Sequence, residues 1–300
     1  MRIGEVPAVR ENCLLPGRRQ LDNPASLEVK MNRRRFLASG VAAGAIAWHE
    51  VGAESIQKTQ ARNSELAERL VNLDAQPDKL QLDLSQTAVI VVDMQNDFCS
   101  KGGLLEFQGV DLTILQPVVP KIRKVLDAAR KTGIKVIYLK MGYKPDLSDV
   151  GLRGSASWNN NRDVGKPVKT STGIEGRILI RDTWNTEIID ELKPEPGDIV
   201  LYKTRFSGFY QTDLDSTLKK LGVRFLIVTG CTTSVCVEST IRDAVFRDYS
   251  PVLLSDCTAE PIGFNLPHSN YEASLFLIKE LLGWVSTSDQ FIQSIEPARA

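Results

Sequence analysis

The chain has 300 residues, 42% of them hydrophobic and 25% charged, and its 37 Lys and Arg are matched by 37 Asp and Glu. That length suits one large α/β domain or two small ones, and the composition is that of an ordinary soluble globular protein. Zero net charge leaves no electrostatic footprint for nucleic acid. Two histidines, His49 and His268, stand in no ligand-like spacing, which argues against a histidine-based metal site or a Ser-His-Asp triad.

From the N-terminus, Met31 to Ala53 has a basic start ("MNRRRFL"), a short apolar run and small residues near its end. That is the layout of an export signal of the twin-arginine kind. The apolar run is too short to span a bilayer as a mature helix, so no stable membrane insertion is expected. Met31 begins a complete signal, and translation starting there would explain the unusual first 30 residues. Residues 54–81 are polar and read as an extension or linker. A single folded domain is expected over 82–296.

The domain opens at "TAVIVVDMQ", Thr87–Gln95, a β-branched run ending in a carboxylate, as expected of a strand buried on both faces. Helical spacing with a glycine stop follows in "PVVPKIRKVLDAARKTG", then a strand in "IKVIYLK". The alternation continues: a helix at "TWNTEIIDEL", a strand at "DIVLYK", a helix at "TDLDSTLKKLG" and a strand at "VRFLIVTG". It closes with "SVCVESTIRDAVFRDY" as helix, "SPVLLSD" as strand, "NYEASLFLIKELLG" as helix and a short strand at "WVST". Such alternation predicts a mainly parallel sheet of roughly six strands covered by helices on both sides. The aperiodic stretch between Met141 and Arg181 reads as a lid or substrate loop.

In an open parallel sheet, ligands bind beyond the carboxyl ends of the strands, where strand order reverses. Asp93, Lys203 and "TGCTTSVC" all fall at such ends. Cys236 is expected to open the helix after the fourth of these strands, where free N–H groups and the helix dipole lower a thiol's pKa. The same N–H groups suit the oxyanion formed when a carbonyl is attacked. Asp93 is a candidate proton acceptor and donor, and Lys203 is placed to stabilise both anions. Cys231 reads as a packing residue of the turn. The five cysteines contain no CxxC pair and form no disulfide framework. Taken singly each of these residues is more often structural; together at one sheet edge they favour catalysis.

"VIVVDMQNDF", "YKTRFSGF" and "TGCTTSVCVESTIRDA" resemble the three signature segments of the cysteine amidohydrolases of the isochorismatase-like superfamily. The likeness runs from about Leu82 to Ile295. "SKGGLLE" and the stretch from Pro196 to Asp243 resemble the ureidoacrylate amidohydrolase subgroup. The resemblance implies a Rossmann-like three-layer α/β/α fold. It implies an Asp93–Lys203–Cys236 triad and a cis peptide between Cys231 and Thr232, with an oxyanion site at the amides of Thr232 and Cys236. It also implies a homo-oligomer, and no metal or organic cofactor. No histidine follows the second strand, unlike metal-dependent nicotinamidases, and Cys236 argues against vinyl-ether hydrolysis. Met141 and Tyr143 stand where the subgroup carries Asn and Trp, while "KPDLSD" resembles biuret hydrolases.

The expected reaction is hydrolysis of a linear C–N bond in a small ureido or carbamoyl compound through a thioester. Biuret and N-carbamoyl amino acids are alternatives, and a non-catalytic scaffold is the reading from another class. Phe98, Tyr143, Trp158, Asn160, Asn161 and Phe206 are candidate substrate contacts, since aromatic walls with a few amides suit a planar ureido group. An exported, periplasmic enzyme is expected from the signal, with the cytoplasm as the alternative.

Overall fold

A computed structural model describes residues 69–263 and 266–296 of the chain. The expected signal at Met31–Ala53 and the segment 54–68 lie outside the described residues. The described part opens with an antiparallel hairpin, β1 (Leu70–Leu73) and β2 (Leu80–Asp83). Leu73, Leu80 and Leu82 are buried in the core, so the folded unit begins before residue 82 and the end of the expected linker belongs to it. The "LQLD" of β2 does alternate apolar and polar, but over four residues inside a polar stretch that period is hard to read.

Downstream come β3 (Thr87–Val92), β4 (Lys135–Met141), β5 (Pro167–Lys169), β6 (Glu175–Arg177), β7 (Ile199–Lys203), β8 (Phe225–Cys231), β9 (Ser250–Ala259) and β10 (Trp284–Ser286). Six of them form one sheet in the order β10-β9-β8-β3-β4-β7, every neighbouring pair parallel. β3 lies inside this sheet with every residue buried, which is why its sequence shows no polar alternation.

Alternate strand residues point to opposite faces and define two apolar layers. On one face Val89, Val91, Val136, Tyr138, Ile227, Val252 and Leu254 pack in one buried cluster with Ile122, Val125, Leu126 and Ala129 of α1 (Val119–Lys131). Phe291 and Ile295 of the C-terminal helix Ser288–Ile295 complete that layer. On the other face Ala88, Ile90, Val92, Ile137, Leu139, Leu226, Val228 and Leu253 meet Leu214 and Leu218 of α2 (Leu214–Lys220) and Ile241 and Ala244 of α3 (Glu238–Val245). Helices on both faces of a parallel sheet give the expected three layers.

Several local features depart from the sequence reading. "TWNTEIIDEL" is two 3₁₀ turns, Trp184–Thr186 and Asp190–Leu192, with Ile188 bridged to Gln95 between them. The stretch from Met141 to Arg181 contains the β5–β6 hairpin, a turn of helix at Ala156–Asn160 and a small core of its own: Met141, Tyr143, Val150, Ile178, Leu179 and Ile180. Its order comes from apolar residues far apart along the loop, which no local period reveals. The helix after β8 begins as a π-helical turn, Thr233–Val237, and becomes α-helical only at Glu238.

Strand order reverses between β3 and β8, the position at which open α/β sheets generally bind ligands. Gly230 makes this junction possible. It has φ +112°, a region open essentially to glycine, and a Cβ there would lie 2.0 Å from the carbonyl oxygen of Val92. Gly230→Ala is expected to cost about 3 kcal/mol or more of stability, measurable as a fall in the midpoint of urea unfolding with an unchanged m-value.

Candidate active site

Asp93 is the first residue after β3. It adopts φ +52°, the left-handed region that Asp tolerates better than β-branched residues do. Its N–H donates to the carbonyl of Leu139 at 2.9 Å, and its own carbonyl accepts from the N–H of Gln95 at 2.8 Å. The strand end is thus pinned to β4 while the carboxyl group is turned over the sheet edge. Lys203 is the last residue of β7, in register with Met141 at the end of β4. Its side chain crosses over β4, passing the Met141 sulfur at 3.6 Å.

There the ammonium meets both partners. Lys203 Nζ lies 2.7 Å from Asp93 Oδ2 and donates to Cys236 Sγ at 3.3 Å and to the carbonyl of Arg205 at 3.3 Å. Oδ1 of Asp93 is buried with no well-oriented donor, and the Lys203–Oδ2 contact is an ion pair. Asp93 and Lys203 are 1% exposed and Cys236 7%, so the cluster is almost wholly buried. The three residues singled out from the sequence are together.

Their protonation follows from burial and mutual charge. For Lys203 burial disfavours the cation, but the charges of Asp93 and Cys236 outweigh that and hold the ammonium well above the usual lysine range. For Asp93 burial dominates and raises the carboxyl pKa, although Lys203 opposes it by charge and hydrogen bond. The Cys236 thiol is pushed up to about 12, by burial first and also by the neighbouring Asp93 charge, against the pull of Lys203. This corrects the expectation of a lowered thiol pKa. Cys236 sits inside the π-helical turn rather than at the open N-terminus of an α-helix, and a carboxylate faces it. Burial and the facing Asp93 carboxyl group thus favour the thiol of Cys236 over its thiolate, while the partners of Lys203 favour the ammonium.

The turn that carries Cys236 is tied down on every side. The Cys231–Thr232 peptide is cis. Thr233 Oγ1 and Thr258 Oγ1 share a hydrogen bond at 2.8 Å. Thr240 Oγ1 donates to the carbonyl of Cys236 at 2.7 Å and accepts from the N–H of Gly208 at 3.0 Å. Cys231 is buried, and its thiol donates to the Asp93 carbonyl at 3.4 Å, which fits a turn-shaping residue.

The remaining candidates are distributed unevenly. Tyr143 is fully buried and donates to the carbonyl of Thr204 at 3.1 Å; its phenol feels the charges of Arg205, Lys203 and Cys236 and a hydrogen bond from Asn161. Asn161 also donates to the carbonyl of Ser157 at 2.8 Å. Phe98 packs between the α1-side core and the loop core, and Trp158 packs on the loop core under Arg153. Asn160 and Phe206 are exposed. Among the described residues no helix is long and apolar enough to cross a membrane, and no group of three or more His, Cys, Asp or Glu is placed to hold a metal ion.

Sequence reading missed several polar residues at the strand ends. Gln95, fully buried, donates to the Met141 carbonyl at 2.9 Å and accepts from the Met141 N–H at 2.8 Å, locking β3 to β4 beside the cluster. Asp97, also fully buried, accepts from the N–H groups of Leu104 and Leu179 and from the Asn185 amide. Glu260 follows β9 and is 2% exposed. A polar "DMQND" directly after an apolar strand was the available signal for the first two.

A parallel sheet with a buried thiol, ammonium and carboxylate at its switch point defines a hydrolase of the cysteine-dependent α/β type. Residues 87–290 match the Isochorismatase domain family. The ureidoacrylate amidohydrolase RutB of Stutzerimonas stutzeri is 41% identical over 228 residues, covering 76% of this chain and 90% of its own length. That of Agrobacterium fabrum is 38% identical, over 76% of this chain and 98% of its own. Among solved structures, a cysteine hydrolase from Pseudomonas syringae pv. phaseolicola superposes with a TM-score of 0.60 at 35% identity, covering 71% of this chain and 94% of that one. N-carbamoylsarcosine amidase from Thermoplasma acidophilum gives 0.50 at 27%, covering 68% and 97%. The chain belongs to the isochorismatase family.

Asp97 gives the stability of this region a pH dependence. Burial pushes its carboxyl up to about 7, against the hydrogen bonds from Asn185, Leu179 and Leu104. The folded chain then holds a proton that the unfolded chain releases near pH 4, so Asp97's contribution is complete below that value and is lost as pH rises through about 7. Wild-type unfolding free energy should fall by up to about 1.4 kcal/mol per pH unit from this group across that window. In Asp97→Asn that component should vanish, as read from urea unfolding at pH 5, 6, 7 and 8.

Proposed function

We propose that the chain hydrolyses the ureido C–N bond of a small linear substrate of the ureidoacrylate type, with Cys236 as nucleophile. The observation that carries this reading is the buried Cys236–Lys203–Asp93 cluster at the sheet's switch point. The substrate class is supported by the named activity of the relatives that are about 40% identical over most of their length.

In this reading the neutral thiol gives up its proton only when substrate arrives. Asp93, made more basic by burial, accepts it, and Lys203 stabilises the thiolate it contacts. The sulfur attacks the ureido carbonyl, and the amides of Thr232 and Cys236 receive the oxyanion. Asp93 returns the proton to the departing nitrogen as the C–N bond breaks, releasing ammonia or an amine and leaving a thioester. Asp93 then deprotonates a water that attacks the thioester, and the sulfur leaves and recovers a proton. Tyr143 and Asn161 form the wall nearest the cluster, and Phe98, Trp158, Asn160 and Phe206 complete the proposed substrate contacts.

An ammonia-release screen over ureidoacrylate, biuret, N-carbamoyl amino acids and nicotinamide tests the substrate. The highest kcat/KM is expected on ureidoacrylate, and Cys236→Ala should lower kcat at least about 10³-fold. A best turnover on nicotinamide would overturn the substrate class, and near-normal turnover by Cys236→Ala the mechanism.

Met31–Ala53 supports export by a twin-arginine route as part of the same proposal. Fractionation of expressing cells should recover shortened protein in the envelope. Replacing the arginines at 33–35 by lysine should return it, uncut, to the cytoplasm. Full-length wild type found only in the cytoplasm would sink the export reading.

A further inference from the structure

Glu260 is a buried carboxylate that the mechanism above does not use. It follows β9, is 2% exposed, and has no ion-pair partner among the described residues. Both of its oxygens accept from backbone: Oε2 from the N–H of Ser234 and Oε1 from the N–H of Ile262 at 2.9 Å. Ser234 lies in the middle of the turn from Thr232 to Val237, two residues from Thr232 and two from Cys236. A buried anion left without a cation is costly, and charge-assisted hydrogen bonds from N–H groups are the stronger kind. A glutamate in such a place holds those N–H groups firmly.

The geometry points to Glu260 as a positioning residue for acyl transfer at Cys236, an inference that rests on the proposed nucleophilic role of that thiol. Three of the turn's N–H groups are committed. Glu260 takes that of Ser234, and the Thr232 carbonyl takes those of Val235 and Val237, both at 3.2 Å. With these committed, the backbone between Thr232 and Cys236 is held at its middle, which restrains how the flanking amides of Thr232 and Cys236 can turn. Thr258, at 2.8 Å from Thr233, and Thr240, on the Cys236 carbonyl, hold the neighbouring residues of the same turn. Glu260 is the charged member of this clamp. Its second oxygen also ties the turn to the segment after β9 through Ile262. Glu260 acts only on the oxyanion side, because neither of its oxygens bonds the Asp93–Lys203 pair.

A variant at 260 should therefore impair carbonyl chemistry more than the bare nucleophilicity of the sulfur. Glu260→Gln nearly preserves shape, but its one amide oxygen can serve only one of the two N–H groups. Steady-state hydrolysis of ureidoacrylate and inactivation by iodoacetamide, which alkylates sulfur without forming an oxyanion, separate the two effects. Both are measured on the full chain and normalised to folded protein by circular dichroism. Glu260→Gln is expected to lower kcat about 10- to 100-fold, in the range of removing one oxyanion donor or less. KM should stay within about threefold and the alkylation rate within about fivefold. Glu260→Asp, which keeps the charge but is one methylene short, should fall between Gln and wild type if the turn can close the gap. Turnover by Glu260→Gln within twofold of wild type would overturn the inference. So would alkylation and turnover falling in parallel, which marks general disruption. With Cys236→Ala as control, a variant that still turns over ureidoacrylate defeats the nucleophile reading itself. Loss in Cys236→Ala with normal turnover in Glu260→Gln defeats only the role of Glu260.

Discussion

The ion pair between Lys203 and Asp93 is the constraint around which the rest is arranged. Both ends are almost wholly buried, and Nζ and Oδ2 lie 2.7 Å apart. Taking two such ions out of water costs several kcal/mol each, and only close geometry repays it. That geometry requires β7, β4 and β3 to end at the same level, since Lys203 must pass over Met141 to reach Asp93. The in-register parallel ladder supplies this alignment. Gln95 reinforces it by closing both backbone groups of Met141 against β3. Such a pair adds little net stability, and in the proposed mechanism it lies where one thiol ionises only when substrate is present.

Cys236 is the third member, and its environment favours the thiol over the thiolate. Lys203 favours the thiolate, whereas burial and the Asp93 carboxylate disfavour it more strongly. A neutral thiol is less exposed to oxidation than a standing thiolate. In the proposed mechanism the amides of the cysteine turn stabilise charge only as it develops. This is why the clamp formed by Thr233, Thr240, Thr258 and Glu260 matters as much as the charges.

Much of the fold was legible because its strands are strongly patterned. "TAVIVV", "KVIYL" and "FLIV" are β-branched runs bounded by polar or glycine punctuation, and each is a strand of the central sheet. The weaker readings failed where order is non-local. "TWNTEIIDEL" has helical composition, yet Ile188 bridges to Gln95 and the segment splits into two tight turns. The Met141–Arg181 stretch has no period, but Tyr143, Val150, Ile178 and Leu179 meet in space to give it a core. Asp97, Asn185 and Glu260 escaped notice because each bonds to groups far away in sequence, or to main chain, which carries no sequence signal.

By itself the sequence determined the alternation of strands and helices, the location of Asp93, Lys203 and the cysteine turn at strand ends, and the family resemblance. It determined these because periodicity and strand-end position are local properties, read within a few residues. The tertiary structure decided which atoms touch: that Lys203 bridges Asp93 and Cys236, that burial and a carboxyl group push the Cys236 thiol pKa up rather than down, and that Glu260 accepts from the turn's backbone. Desolvation and charge pairing depend on what surrounds a group in three dimensions, so the pKa of Cys236 could not be read from its place before a helix. Its burial, and a carboxylate 143 positions away in the sequence, set it.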